Sequence, residues 1–197
     1  QTLFRKGSLS KIISEIKNNI ENKTLIFYTN GLLGSRKSQT YSNFNDFMYN
    51  LSYWSSWSNG FNIWKSEFDK IDKNLKLNKL FPHTSLFLTQ HQAKLFCIND
   101  NLLFDVQRIP KRGGHNKFEA FTIEYPSLLD ECCKKGHIST KCKKHILFGI
   151  MVQFLPSLLF NKYIIRIETF DDTGFRNNLK KYYPSYAYWL VLISVLG

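Results

Sequence analysis

Acidic residues, cysteines and long apolar runs are all scarce in this 197-residue chain, and each scarcity excludes something. Fifteen Asp and Glu face 27 Lys and Arg, a formal net charge of +12 with a pI near 9.5, which turns the expectation toward an anionic partner and away from a cationic one. Four Cys are too few for a disulfide scaffold. The two most apolar stretches, Ile146 to Phe160 and Tyr186 to Leu196, are 15 and 11 residues long, and Gln153 and Pro156 interrupt the first. Neither is expected to span a bilayer. The first residue is Gln1 rather than Met, and nothing about a targeting segment follows from it. Against these scarcities stand 17 Phe and 10 Tyr in a chain that is 43% hydrophobic. That is enough apolar surface for a buried core, and the length suits one elaborated domain or two small ones.

The charge surplus makes a polyanion the expected partner, because Lys and Arg that neutralise phosphates release condensed counterions. No single tail carries it: residues 1–124 hold 17 basic against 10 acidic side chains, and residues 125–197 hold 10 against 5. The heavy use of Asn, Lys, Phe, Ile and Tyr is what an AT-rich coding sequence produces, as in some organelle and parasite genomes.

Leu9, Ile12, Ile13, Ile16 and Ile20 recur at helical spacing after Ser8, which predicts a capped amphipathic helix over about 9–21 with one buried stripe. Thr24 to Thr29 reads as a strand ending at the turn Asn30-Gly31, followed by the basic loop Ser35-Arg36-Lys37-Ser38. Residues 39–80 read as an aromatic loop with Trp54 and Trp57, then a helix carrying Trp64, Phe68, Ile71 and Leu75 and closed by Pro82. Ser85 to Thr89, Lys94 to Ile98 and Leu102 to Arg108 read as strands, the last two joined at Asn99-Asp100-Asn101 as an antiparallel hairpin. In Pro110 to Lys117 two glycines would let the backbone approach a partner closely among three cations and His115. Phe118 to Ile123 reads as extended, and Ser127 with Asp130 as a helix start.

Residues 99–119 resemble the signature of the bacterial-type small-subunit ribosomal protein nineteen family. Asn99 stands at the turn asparagine, Val106 at the strand valine, Gly114-His115 at the Gly-His pair and Glu119 at the acidic position, with no gap between them; Asp100 stands where the family has its turn glycine. Lys6-Gly7 before the first helix and Ser35 to Ser38 resemble two further family segments. The resemblance implies an α+β fold: an N-terminal helix with a small antiparallel sheet, an aromatic insertion at about 39–80, and a mixed C-terminal extension. It divides the chain into a core, 1–125, that binds ribosomal RNA, and an extension, 126–197, that contacts neighbouring proteins. It implies a non-enzymatic structural constituent of the small ribosomal subunit, supporting translation. Its site would be the 3′ (head) domain of the small-subunit RNA, beside protein thirteen and near the aminoacyl-tRNA site and intersubunit bridges. The additions and the composition favour a mitochondrial ribosome. Lys6, Arg36, Lys37, Arg108, Lys111, Arg112 and Lys117 would contact phosphates, and the Gly113-Gly114 backbone with His115 would lie against folded RNA.

Three other readings compete. Cys132, Cys133, His137, Cys142 and His145 offer zinc-ligand chemistry within 14 residues, although no C-x₂-C pair is present, and buried or free thiols without a cofactor are the alternative. His115 and Glu119 could serve as acid and base of a basic ribonuclease, with Lys117 stabilising phosphate. The two apolar stretches could place the chain at a membrane.

Overall fold

Two four-residue segments with every side chain buried, Leu25–Tyr28 and Phe96–Asn99, run side by side and in parallel through the first of two units. The computed structural model describes residues 2–58, 60–106 and 116–196. One unit comprises residues 1–77 and 82–108, the other residues 78–81 and 109–197, and the class is α+β. In chain order the first unit carries β1 (Thr2–Phe4), α1 (Ser8–Asn18), β2 (Leu25–Tyr28), β3 (Ser38–Tyr41), α2 (Phe44–Leu51) and a 3₁₀ turn (Ser52–Ser56). It continues through α3 (Lys65–Phe68), α4 (Pro82–Leu88), β4 (Phe96–Asn99) and β5 (Phe104–Val106).

The three-stranded sheet has the order β2-β4-β3, with β3 antiparallel to β4. Strands that read as unbroken apolar runs are buried on both faces, as parallel strands are. One face of the sheet meets an aromatic layer in which Phe27, Phe44, Phe47, Phe87 and Phe96 contact one another with ring centroids 5.2 to 6.0 Å apart. The other face holds Ile26, Tyr28, Cys97, Leu103 and Phe104, with Ile12 and Trp57 against them. Each fully buried side chain of this size stabilises by roughly 1.5 to 3 kcal/mol, so the sheet is the energetic centre of the unit.

Several sequence expectations change here. Within residues 39–80, expected as an aromatic loop and then a helix, α2 places Phe44, Phe47, Met48 and Leu51 in the core at helical spacing, under an Asn43 cap that accepts from the Asp46 amide at 2.8 Å. Pro82 begins a helix instead of closing one, and Ser85 to Leu88, expected as strand, lies in α4; proline's missing N–H costs nothing in a first turn. The helix expected through Leu75 is the single turn α3. Gly7, in a left-handed conformation, caps α1 in place of Ser8. The apolar stripe of α1 is not buried: Leu9, Ile13 and Ile16 are exposed while Ser8 is inside. The hairpin between Lys94–Ile98 and Leu102–Arg108 does not form either, since β4 lies between β2 and β3, and β5 turns away to pair antiparallel with β1.

The second unit is helical among its described residues. A first helical stretch runs from α5 (Lys117–Glu119) through a π-helical turn (Ala120–Glu124) into α6 (Tyr125–Lys134). A second runs from α7 (Thr140–Gly149) through π (Ile150–Phe154), α8 (Leu155–Leu159) and π (Phe160–Ile164), and α9 (Phe175–Tyr182) and α10 (Ala187–Leu196) follow. Pro126 and Pro156 each stand two residues past the end of a π turn. Proline lacks the amide that would bond four residues back and its ring crowds that carbonyl, so a widened turn carries the helix past it. Phe118 to Ile123 is therefore helical and not extended, and Asn116, accepting from the Glu119 amide at 2.8 Å, is the cap in place of Ser127.

A division at 125/126 would cut this helical stretch: Phe118, Tyr125, Leu129, Ile138, Ile146, Leu155, Phe170 and Leu179 are all buried within the second unit, which begins its main span at 109. Residues 140–164 form one 25-residue helix, long and apolar enough to cross a membrane by length and composition; Cys142, Ile146, Ile150, Met151, Leu155 and Leu159 give it a buried stripe.

Gly60 offers a direct check of the sheet. Its carbonyl accepts the Tyr28 amide at 3.0 Å, and an added Cβ would lie 2.4 Å from both the Phe27 ring and the Tyr28 carbonyl oxygen. Gly60→Ala is expected to lower stability by about 1 to 3 kcal/mol through overpacking against backbone, read as a lower urea midpoint at unchanged slope.

Candidate nucleic-acid interface

The basic loop after β2 is shaped by a carboxylate from the end of β4. Asp100 is buried, and its Oδ1 accepts from Thr29 Oγ1 at 2.6 Å and the Leu33 amide at 3.1 Å. Its Oδ2 accepts from Ser35 Oγ at 3.2 Å and the Arg36 amide at 3.0 Å, and its own amide donates to the Lys37 carbonyl at 3.1 Å. Burial pushes this carboxyl up, but the bonds from Thr29, the Arg36 and Leu33 amides and Ser35 outweigh it and hold it below the ordinary Asp range. Asn30 completes the frame: its Oδ1 accepts the Leu103 and Phe104 amides at 2.8 and 3.0 Å, and its Nδ2 donates to the Phe104 carbonyl at 2.9 Å.

The loop therefore holds its cations by backbone and leaves their side chains outside. Arg36 and Lys37 are exposed, and the Arg36 guanidinium folds back over Gly31, where a Cβ would come within 2.1 Å of it. Lys6, in the link between β1 and α1, is also exposed. Arg108, Lys111, Arg112, Gly113, Gly114 and His115 lie outside the described residues, so the ribonuclease pairing of His115 with Glu119 has no geometry to assess. Lys117 already has partners within the second unit: its ammonium lies 3.0 Å from Glu168 Oε2 and 4.8 Å from the centre of the Phe170 ring.

The Cys and His candidates are split between two helices and the turn joining them. Cys132 and Cys142 are buried in the core, and burial pushes the Cys132 thiol up to about 12. Cys133 Sγ sits 3.7 Å from the Thr140 hydroxyl. Among the described residues no three His, Cys, Asp or Glu side chains are grouped so that they could hold a metal ion, and no disulfide joins the four cysteines. Cys132 and Cys142 are buried, as small apolar thiols commonly are.

Sequence reasoning missed how the carboxylates are distributed. Glu67 is flanked by Lys23 and Lys70, Asp69 by Lys65, Asp105 by Arg5, Asp130 by Lys134 and Lys143, and Asp172 by Lys162, with nitrogen to oxygen distances of 2.6 to 3.1 Å. Cations that enter no ion pair among the described residues are exposed: Lys11 and Lys17 on α1, Lys73, Lys76 and Lys94 elsewhere in the first unit, and Lys135, Lys141, Lys144, Lys180 and Lys181 in the second. Each unit has its own surplus, 13 Lys and Arg against 8 Asp and Glu in the first and 14 against 7 in the second. No known protein family, curated protein or solved structure matches the chain. The chemistry of the candidate interface rests on its own residues, which present a hydrogen-bonded backbone and exposed positive side chains.

The Asp100 frame has a pH signature. A folded-state pKa below the ordinary value makes the carboxylate's contribution full above the ordinary Asp range and lost as pH falls through the folded value. Asp100→Asn is expected to cost about 2 to 3 kcal/mol at neutral pH, since two amides and two hydroxyls lose a charged acceptor. The gap between wild type and variant should narrow below pH 4 in urea melts, whereas a pH-independent gap would show that the charge is not what holds the loop.

Proposed function

We propose that this chain is a non-catalytic, RNA-binding structural constituent of a small ribosomal subunit, in an organelle of mitochondrial type. The observation that carries the reading is the charge arrangement: Lys and Arg outnumber Asp and Glu in each unit, six of the acidic side chains are ion-paired within their own unit, and cations outside those pairs stand exposed on both. Such a surface meets the phosphates of a folded RNA by shape and backbone contact. Placement in the head of the subunit beside protein thirteen rests on the resemblance of residues 99–119 alone.

Two further features support an assembly protein. Leu9, Ile13 and Ile16 of α1 form an apolar face open to solvent in a helix whose polar Ser8 points inward and whose Glu15 accepts from Asn99 Nδ2 at 2.7 Å. Tyr186, Trp189 and Ile193 form a comparable exposed stripe at the start of and along α10. Faces of this kind are covered in complexes. The helix 140–164 is read as a core helix because its buried stripe packs within the second unit.

The test is binding of the full chain to small-subunit ribosomal RNA across a salt series, together with sedimentation alongside the small subunit. If about six phosphates are neutralised, log affinity against log salt should fall with a slope of about −4 to −5. A flat salt dependence, or a protein that stays free of the subunit, would refute the reading.

A further inference from the structure

The densest run of positive charge outside the first unit lies at a helical turn that the resemblance does not reach. Five lysines occur between positions 134 and 144, where α6 ends and α7 begins. The turn between them is fixed by backbone. Gly136, with φ +76, donates to the Cys133 carbonyl at 3.0 Å, and the His137 amide donates to the Cys132 carbonyl at 3.0 Å, the paired closure of a Schellman motif. Ser139 then caps α7, its hydroxyl accepting from the Cys142 amide at 3.1 Å. Ile138, only 2% exposed, fastens the turn to the core between buried Cys132 and Cys142.

On this frame the lysines divide into two sets. Lys134 and Lys143 converge on Asp130 at 2.9 and 2.7 Å, and those bonds, from Lys143 first, hold the Asp130 carboxyl below its ordinary range. Lys135, Lys141 and Lys144 are exposed and enter no ion pair among the described residues, and the remaining nearby carboxylate, Glu131, does not bridge them. Lys141 and Lys144 are three residues apart on α7 and therefore share a face. Within the turn no apolar side chain is exposed, since Ile138 and Cys142 are buried; on the lysine face of α7 the exposed apolar side chain is Phe148, one turn beyond Lys144. A membrane-surface element needs a broad apolar face beside its cations, which a single phenylalanine does not make, so this surface fits a phosphate backbone better than a lipid headgroup layer.

We propose that the α6–α7 turn is a contact for the phosphate backbone of structured RNA, made by Lys135, Lys141 and Lys144, so that the second unit shares in RNA binding. This rests on the RNA-binding reading above. The probes are a small-subunit ribosomal RNA fragment and phosphatidylserine vesicles, each titrated with the full chain. Replacing the three lysines together (Lys135→Gln, Lys141→Gln, Lys144→Gln) should make the salt slope shallower by about 2 to 3, the share of three phosphates, while the three Lys→Arg changes keep it.

Wild-type binding with a slope untouched by the Gln variant would overturn the contact and leave the wider reading standing. A loss that the Arg variant reproduces would also overturn it, because a charge-conserving change should not break a charge contact. Loss of vesicle binding with RNA binding unchanged would assign the surface to lipid. Absence of RNA binding by the wild type would overturn both readings.

Discussion

The Asp100 carboxylate is the interaction on which the first unit depends, because it sets where the chain goes after each of the two parallel strands. It stands at the carboxyl end of β4, beside the carboxyl end of β2, the place where parallel sheets bind ligands through the loops that leave them. Here the loop from Thr29 to Lys37 turns its Leu33 and Arg36 amides inward onto a carboxylate supplied by the protein itself. A glycine-containing loop after a buried strand resembles a phosphate cradle in sequence, yet these two amides already have their anion. The cations of the loop are left facing outward, which suits a polyanion lying across the surface and not a nucleotide held in a pocket.

The same node explains the topology. A two-residue hairpin turn after β4 would need Asp100 and Asn101 free to reverse the chain, but Asp100 is engaged with four donors and Asn101 donates to the Asn99 side chain at 2.8 Å. The Asn30 amide then takes up the Leu103 and Phe104 backbone, and β5 emerges pointing at β1. Arg5 reinforces that pair from both sides of its backbone: its amide donates to the Leu103 carbonyl at 2.9 Å and its guanidinium bridges Asp105 at 2.7 Å. The exposed pair adds little by itself, since it is screened by solvent.

What was legible in the sequence follows the strength of local signals. Leu25 to Tyr28 and Phe96 to Ile98 read correctly as strands, and α1 as a helix, because composition and period agreed. Ser85 to Leu88 misled because a short apolar run carries no period, and the deciding residue was Pro82, whose meaning depends on which side the helix lies. The exposed face of α1 could not have been foreseen: periodicity shows that a helix has an apolar side, not that the side meets the core. In the second unit Ser127 reads as a helix start and Pro156 as an interruption, although each lies inside a helical stretch that a π turn carries past a proline.

The candidate site was legible only as residue types. Lys117 and Lys135 look alike in sequence, each in a basic neighbourhood, yet Glu168, 51 residues away in sequence, draws Lys117 inward, while no partner among the described residues takes Lys135. The Cys and His letters of 132–145 suggested a metal, and the lysines among them were passed over. Folding reverses the weight of the two sets. Cys132 and Cys142 enter the core, where apolar surroundings suit a neutral thiol, and the lysines between the helices cannot follow them without an anion to match. Asp130 accommodates two. The other three stay in water unless an anion meets them, and so the internal pairing of carboxylates decides which part of a basic surface is left open to an anionic partner.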